Sequence, residues 1–226
     1  MEQKVSILGF LKIGKEEHID LLQKHGVIYC NTVDFFRRLE EKEKGRKDTR
    51  EGATSSLKAH NLTLFFDNER KREIPIKITR ARLHTHDPQE LKTHLYCLYV
   101  VREEHVTGRP FIDARNVEFG DKAILITDTQ QFLDRFKNAT ADFVQYSNDF
   151  VRYYNEEEDH QALTIYNKPD FFQYQSEFRF HIKNKSDHPI QFKIGSIEDI
   201  SIKLNAEILP KLFIDDQVHN GLQETL

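Results

Sequence analysis

The sequence is poor in the residues on which several large classes of protein depend. Two cysteines, Cys30 and Cys97, occur among 226 residues, each in an apolar stretch, so buried thiols are expected rather than a disulfide framework. No run approaches the ~20 apolar residues that a membrane helix needs. The N-terminal segment lacks the basic start and cleavable apolar region of a secretory signal. These absences predict a cytoplasmic protein with no membrane partner.

Glycine and histidine are too scattered for several common active sites. The nine glycines form neither a G-x-x-x-x-G-K nor a G-x-G-x-x-G loop, which argues against a P-loop or a dinucleotide-binding Rossmann unit. No serine lies in a nucleophile elbow. His84 and His86 are closely spaced and precede Asp87, but zinc sites usually need three or four ligands and no second cluster follows. We therefore expect no metal, and a solvated loop around these histidines.

The composition indicates one globular domain. Hydrophobic residues make up 38% of the chain and charged residues 31%, and this length suffices for one sizeable core. We expect a single domain over 1–226, with a polar tail from about 215. The net charge of −4 gives no general attraction to nucleic acid, so any basic site must be local.

The residue patterns predict an α+β fold with a mostly antiparallel or mixed central sheet and a few short helices. A helix over 15–25 ends at Gly26, Thr32 caps a second, and Asp128 opens a third. The aromatic segment 143–154 fits either a helix or a strand. Strands are predicted at 5–13, 27–31, 62–66, 74–80, 95–101, 123–127, 174–182, 190–194 and 200–204.

The stretch YQSEFRF, 174–180, places a carboxylate in the middle of an aromatic strand. Alternation assigns Phe178 and Phe180 to a core face, and Gln175, Glu177 and Arg179 to the other face. One interpretation is a half-buried strand whose outer face is wet, with ordinary surface charges. The other is that this polar face lines a cleft, with Gln175 and Glu177 side by side towards a ligand.

The loop over 40–52, EEKEKGRKDTREG, has almost no apolar residue and is expected to be solvated. Arg46 or Arg50 could clamp a phosphate in bidentate fashion. Asp48 and Glu51 could orient those arginines instead. A charged surface loop explains the same composition, and both interpretations stay open here.

The two ends of the chain together show a resemblance. A strand, a short helix and "VIYCNTVDFF" open the sequence, and "YQSEFRF" followed by "FKIGSIEDISI" closes it. This arrangement resembles bacterial proteins of the ADP-ribosyltransferase fold, particularly small toxin and phage-defence enzymes, and related uncharacterised bacterial proteins. In that family a late strand carries Gln or Glu, any residue, then the catalytic Glu, a spacing that Gln175 and Glu177 match. By position, Lys12, Tyr29 and Asn31 would hold NAD, although the family's first strand normally offers Arg or His.

The resemblance implies an NAD-dependent ADP-ribosyltransferase or NAD-cleaving effector, a toxin or phage-defence enzyme that acts on nucleic acid or protein. Glu177 would stabilise an oxocarbenium-like state, and Gln175 would orient the acceptor. Arg46 or Arg50 would hold the pyrophosphate, and Tyr29 or Phe35 would stack on nicotinamide. NAD is then a substrate, and an antitoxin or defence-system protein is the implied partner. The alternatives are an NAD-independent protein that binds or cleaves nucleic acid, and a catalytically silent interaction domain.

Overall fold

The computed structural model describes residues 6–39, 47–64, 76–158 and 162–214. Its three α-helices are α1 (Glu16–His25), α2 (Val33–Arg38) and α3 (Thr129–Ala139). The strands are β1 (Ile7–Gly14), β2 (Val27–Thr32), β3 (Ala53–Leu64), β4 (Ile76–His86), β5 (His94–Arg102), β6 (Lys122–Ile126), β7 (Gln145–Phe150), β8 (Arg152–Tyr154), β9 (Asn167–Pro169), β10 (Glu177–Lys183), β11 (Ile190–Lys193) and β12 (Ser201–Asn205). Short 3-10 helices occur at Glu90–Lys92, Glu103–His105, Ala114–Phe119, Asp170–Gln175, Glu198–Ile200 and Ala206–Lys211.

The main sheet has eight strands and branches at β5. Six strands follow the order β11-β2-β5-β1-β6-β12, and β10 pairs with both β5 and β7. Tyr99 pairs with Leu11 of β1 and with Glu177 of β10, so β1 and β10 flank opposite edges of β5. Near its start β5 pairs with β2 instead, at Asn31 and Thr32. Strands β1 and β2 therefore share one edge of β5 and leave a gap between them.

One face of this sheet carries an aromatic core beneath α1 and α3. Successive strand residues point to opposite faces, so Phe178 and Phe180 of β10 enter this core. The rings of Phe136 and Phe180 stack at 4.2 Å between centroids. Helix α1 contributes Ile19 and Leu22. The predicted core face of the YQSEFRF strand is confirmed from Phe178 onwards.

Side-chain caps begin α2 and α3 at the residues that the sequence predicts. The Oγ1 of Thr32 accepts a hydrogen bond from the backbone N–H of Phe35 at 3.2 Å. Asp128 Oδ1 accepts from the N–H of Gln131 at 2.9 Å. Each oxygen satisfies a donor that the first turn of a helix leaves unpaired.

The α+β class, with a mostly antiparallel sheet and few short helices, is confirmed; an ADP-ribosyltransferase fold stays a prediction. The expected strand start near 174 is wrong, because Asp170–Gln175 forms a 3-10 helix and β10 begins at Glu177. The histidines His84 and His86 lie within β4 rather than in a solvated loop. The segment 143–154 forms strands β7 and β8.

Several predicted segments fall wholly or partly outside the described residues. These are the polar tail from about 215, residues 40–46 of the loop over 40–52, and parts of the strands predicted at 62–66 and 74–80. The described part of the charged loop is solvated only in part: Asp48 and Glu51 are 2% and 4% exposed, whereas Thr49 is exposed. Gly52 follows directly, and a Cβ there would lie 2.6 Å from a methyl of Val33.

The end of α1 offers a test of close packing. Gly26 has φ +61°, and a Cβ there would lie 1.8 Å from the carbonyl oxygen of Gly195; Gly108 has φ +64° with nothing within 4 Å. We expect Gly108→Ala to lower the free energy of unfolding by about 1 kcal/mol, from the left-handed backbone alone. Gly26→Ala should lose clearly more, because the clash also separates β2 from β11. Urea unfolding of both variants measures the difference, and equal losses would contradict this packing.

Candidate functional site

The polar face of β10 is buried, not wet and not an open cleft. Glu177, Arg179 and His181 alternate with the aromatic core residues, as the sequence predicts, but their exposed fractions are 7%, 1% and 4%. Each must therefore find charged or hydrogen-bonding partners in the interior. The covering segments include the turn before β3 and the segment that contains β9.

Arg179 lies at the centre of this buried cluster. Its Nη1 is 2.7 Å from Oε1 of Glu51 and its Nη2 is 3.1 Å from Oε2, a two-pronged contact. The same Nη2 is 3.3 Å from Oε2 of Glu177. Its Nη1 also donates to the backbone carbonyl of Ile165. One guanidinium thus connects β10 to two segments that are distant in the sequence.

Lys168 of β9 joins Gln175 to Glu177. Its Nζ is 2.6 Å from Oε1 of Gln175 and 3.1 Å from Oε2 of Glu177. The ammonium also lies 4.4 Å from the centroid of the Phe172 ring. Gln175 is at the end of a 3-10 helix and Glu177 begins a strand, yet both oxygens converge on one nitrogen. We call Glu51, Lys168, Gln175, Glu177 and Arg179 the buried ion cluster.

The buried ion cluster contains two carboxylates and two cations, and these charges change the pKa values of its members. Burial by itself would raise the pKa of Glu177, but Lys168 and Arg179 outweigh it and lower this pKa to about 2. For Glu51, burial dominates and raises the pKa, although Arg179 opposes the rise. The two acids differ because Glu177 contacts both cations directly, whereas Glu51 also faces the like charges of Asp48 and Glu177. Glu177 is therefore ionised at neutral pH.

A second polar group extends the cluster along β10. Nε2 of His181 lies 2.8 Å from Oγ1 of Thr93 and 2.9 Å from Oε1 of Glu90. Contact with His181 is the main cause that lowers the pKa of Glu90. These contacts tie the 3-10 helix before β5 to the same face of the sheet.

Lys12, a predicted NAD contact, lies in the gap where the sheet branches. Its Nζ donates to the carbonyl oxygen of Cys97 at 2.7 Å and lies 4.3 Å from the centroid of the Tyr96 ring. On this edge of β5 neither β1 nor β2 pairs with Cys97. Lys12 therefore satisfies a carbonyl group that the branched sheet leaves without a strand partner.

The other predicted cofactor contacts that the structure describes come from β2, from α2 and from the turn before β3. Tyr29 on β2 and Phe35 on α2 are 52% and 42% exposed, and Asn31 is partly buried on β2. Arg50 forms an ion pair with Glu156, and its guanidinium is 5.7 Å from the Phe171 ring. Arg46 lies outside the described residues. Of the predicted site residues, the structure brings Gln175 and Glu177 into one cluster.

Sequence reasoning missed Glu51 and Lys168 as members of the cluster. Glu51 looked like a partner for the neighbouring arginines, but its carboxylate binds Arg179, 128 residues away. Lys168 belongs to no motif in the sequence. Neither contact has a sequence signal, because both join segments that meet only in the folded chain.

The described residues contain no group of His, Cys, Asp and Glu side chains that could hold a metal ion. None of the helices in the described ranges is long and apolar enough to cross a membrane. Comparison with known proteins finds no matching family model, no matching curated protein and no matching solved structure.

Arg179 should contribute strongly to stability. Arg179→Met removes the shared guanidinium and leaves Glu51 and Glu177 buried without it, so we expect the free energy of unfolding to fall by ~3–5 kcal/mol. Denaturant unfolding provides the measurement. The control is Arg152→Met, because Arg152 pairs with Asp149 at 2.8 Å with a 66% exposed side chain; its loss should stay below ~1 kcal/mol. Similar losses in the two variants would count against a structural role for the cluster.

The lowered pKa of Glu177 predicts a pH-dependent contribution to stability. The folded pKa of about 2 lies below the ordinary 4.5, so the contribution is complete above pH 4.5 and is lost as the pH falls towards 2. The difference in free energy of unfolding between wild type and Glu177→Gln should therefore narrow over that range. Urea titrations of both proteins at several pH values test this, since Glu51 is common to both. A constant difference would mean that Glu177 is not ionised in the fold.

Proposed function

We propose that this chain is an NAD-cleaving enzyme of the ADP-ribosyltransferase type, with Glu177 as its catalytic carboxylate. The observation that carries this proposal is the convergence of Gln175 Oε1 and Glu177 Oε2 on one cationic nitrogen. Two oxygens that hold a positive charge have the chemistry needed beside a ribose ring that becomes cationic. In this proposal the positive charge of the Lys168 ammonium is a substitute for the positive charge of a developing oxocarbenium ion.

The proposed reaction breaks the bond between the ribose C1′ and the nicotinamide nitrogen. Nicotinamide leaves with the bonding electron pair, and the ionised carboxylate of Glu177 stabilises the positive charge left on the ribose. A nucleophile on an acceptor, nucleic acid or protein, or else water, then bonds to C1′ and loses a proton. Gln175 would orient that nucleophile.

Substrate entry in this proposal requires Lys168 to leave the carboxylate. The Glu177 side chain is 9% exposed and Lys168 is 5% exposed, so the segment that carries Lys168 must move. Arg50, or Arg46 outside the described residues, would hold the pyrophosphate of NAD, and Tyr29 or Phe35 would stack on its nicotinamide, with Lys12 and Asn31 as further contacts. A cytoplasmic toxin or defence enzyme with a restraining partner fits such a closed resting site.

A second candidate is a catalytically silent interaction domain. The observation that favours it is the double pairing of Glu177 with Lys168 and Arg179 in the interior. This pairing accounts for an ionised glutamate at this position without any substrate. The Q-x-E spacing would then serve the stability of the fold alone.

The experiment compares NAD consumption by wild type, Glu177→Gln and Glu51→Gln. We expect Glu177→Gln to lose ~100- to 1,000-fold in rate, because one preorganised electrostatic group is removed. Glu51→Gln is the matched control, since it neutralises the other carboxylate on Arg179 but does not contact Lys168. Rates are compared at equal concentrations of folded protein, determined by unfolding curves.

The outcomes separate the two candidates. Loss in Glu177→Gln with activity retained in Glu51→Gln supports the catalytic assignment. Equal losses in both variants that follow the folded fraction indicate a structural role. A wild type that leaves NAD intact, with and without nucleic acid or cell extract as acceptor, favours the interaction domain.

A further inference from the structure

A cleft lies beside the start of β10, on the surface side of the peptide that precedes Glu177. It encloses about 220 Å³, and five ring-bearing side chains line it together with Ser176: Tyr99, His105, Phe111, Tyr153 and Tyr174. The cleft lies outside the buried ion cluster, although Ser176 is next to Glu177 in the chain. The YQSEFRF stretch therefore faces a cleft through Tyr174 and Ser176, not through Gln175 and Glu177.

One wall of the cleft is formed by three rings that each contact the other two, and the centroids of Tyr99 and Phe111 are 6.4 Å apart with an interplanar angle of 40°. The centroids of Tyr99 and His105 are 6.1 Å apart with an interplanar angle of 29°, and those of His105 and Phe111 are 5.2 Å apart at 12°. Tyr99 donates its hydroxyl hydrogen to the Phe111 carbonyl at 3.0 Å, which fixes its orientation. Such a wall is preorganised for a further planar ring.

Three polar groups at the cleft have hydrogens with no acceptor among the residues that the structure describes. Nδ1 of His105 accepts from the backbone N–H of Arg102 at 3.1 Å, so the ring proton of the neutral imidazole is on Nε2. The hydroxyl of Tyr153 accepts from the N–H of Glu177 at 2.9 Å and keeps its own hydrogen to donate. Nε of Arg102 is buried with no hydrogen-bond partner in the described part of the chain. Burial lowers the pKa of His105, which favours its neutral form.

The floor of the cleft contains a strained backbone. Ser176 has φ 39° and ψ 58°, and it is the one non-glycine residue with a positive φ among those described. Its carbonyl accepts from the N–H of Val100 at 2.7 Å, and its hydroxyl donates to the Val100 carbonyl at 3.1 Å. Strain of this kind concentrates at ligand sites, where surrounding contacts hold it in place.

From these features we propose that the cleft binds a planar heteroaromatic ring of the nucleobase class. The ring would stack on the Tyr99–His105–Phe111 wall and accept hydrogen bonds from His105 Nε2 and the Tyr153 hydroxyl. The exposed amide of Gln173, also at the cleft, would pair with the ring edge. A volume of about 220 Å³ is below the ~300–1,000 Å³ of pockets for whole drug-sized ligands. The cleft therefore takes one ring system and leaves the rest of the ligand outside.

This ring could belong to a free nucleoside or to a base of a single strand, and the experiment distinguishes the two. The full chain is titrated by calorimetry with adenosine, guanosine, cytidine and uridine, and separately with a short single-stranded RNA of mixed sequence. We expect saturable binding that weakens about tenfold in His105→Ala, as loss of one stacking contact of ~1–3 kcal/mol implies. Tyr153→Phe, which keeps the ring and removes the hydroxyl, should weaken binding to a smaller extent.

Phe171→Ala is the matched control, because Phe171 is 48% exposed and does not line the cleft; it should bind like wild type. Nucleoside binding that depends on His105 identifies a free ligand, and RNA binding alone with the same dependence identifies a strand. Binding of neither probe, or equal binding by wild type, His105→Ala and Tyr153→Phe, would overturn the proposal. No result here depends on NAD cleavage, since none of the altered side chains belongs to the buried ion cluster.

Discussion

The guanidinium of Arg179 joins parts of the chain that otherwise share few apolar contacts. It links β10 to Glu51 at the start of β3 and to the carbonyl of Ile165. The apolar clusters that include residues of these segments are small: one contains Val33, Leu95 and Ile165, and another contains Ala53, Tyr154 and Leu163. Because buried charges must be paired, two carboxylates and two cations must assemble together. This requirement positions the covering segments over the sheet.

The branch in the sheet imposes a second constraint. Strand β5 is shared by β1 and β2 on one edge and by β10 on the other. At the gap, an unpaired carbonyl in the interior would be unfavourable, and the Lys12 side chain reaches it. A lysine that resembles a ligand contact by position thus has a structural contact of its own. Any role with NAD would have to compete with that contact.

Ser176 decides which side chains reach the surface around the Q-x-E stretch. Its left-handed backbone separates the 3-10 helix from β10, so simple alternation does not extend across it. Gln175 and Glu177 turn towards Lys168, whereas Tyr174 and Ser176 line the cleft. The motif therefore contributes to two neighbouring environments, one charged and closed, the other aromatic and open. The Tyr153 hydroxyl connects them through the Glu177 amide.

The sequence by itself determined what depends on near neighbours. Thr32, Asp128 and Gly26 mark helix ends through contacts within a few residues, and the period-two pattern from Phe178 onwards identifies the core face of β10. The sequence pattern also singled out Gln175 and Glu177 as site candidates, but it did not predict the side chains that contact them. Tertiary structure alone decided that the polar face is buried, because burial depends on what covers a strand. Glu51 and Lys168 come from segments that meet Arg179 and Glu177 only after folding. The cleft likewise needed the fold, since Tyr99, His105 and Phe111 come from one part of the sequence, and Tyr153 and Tyr174, which also line the cleft, come from later segments.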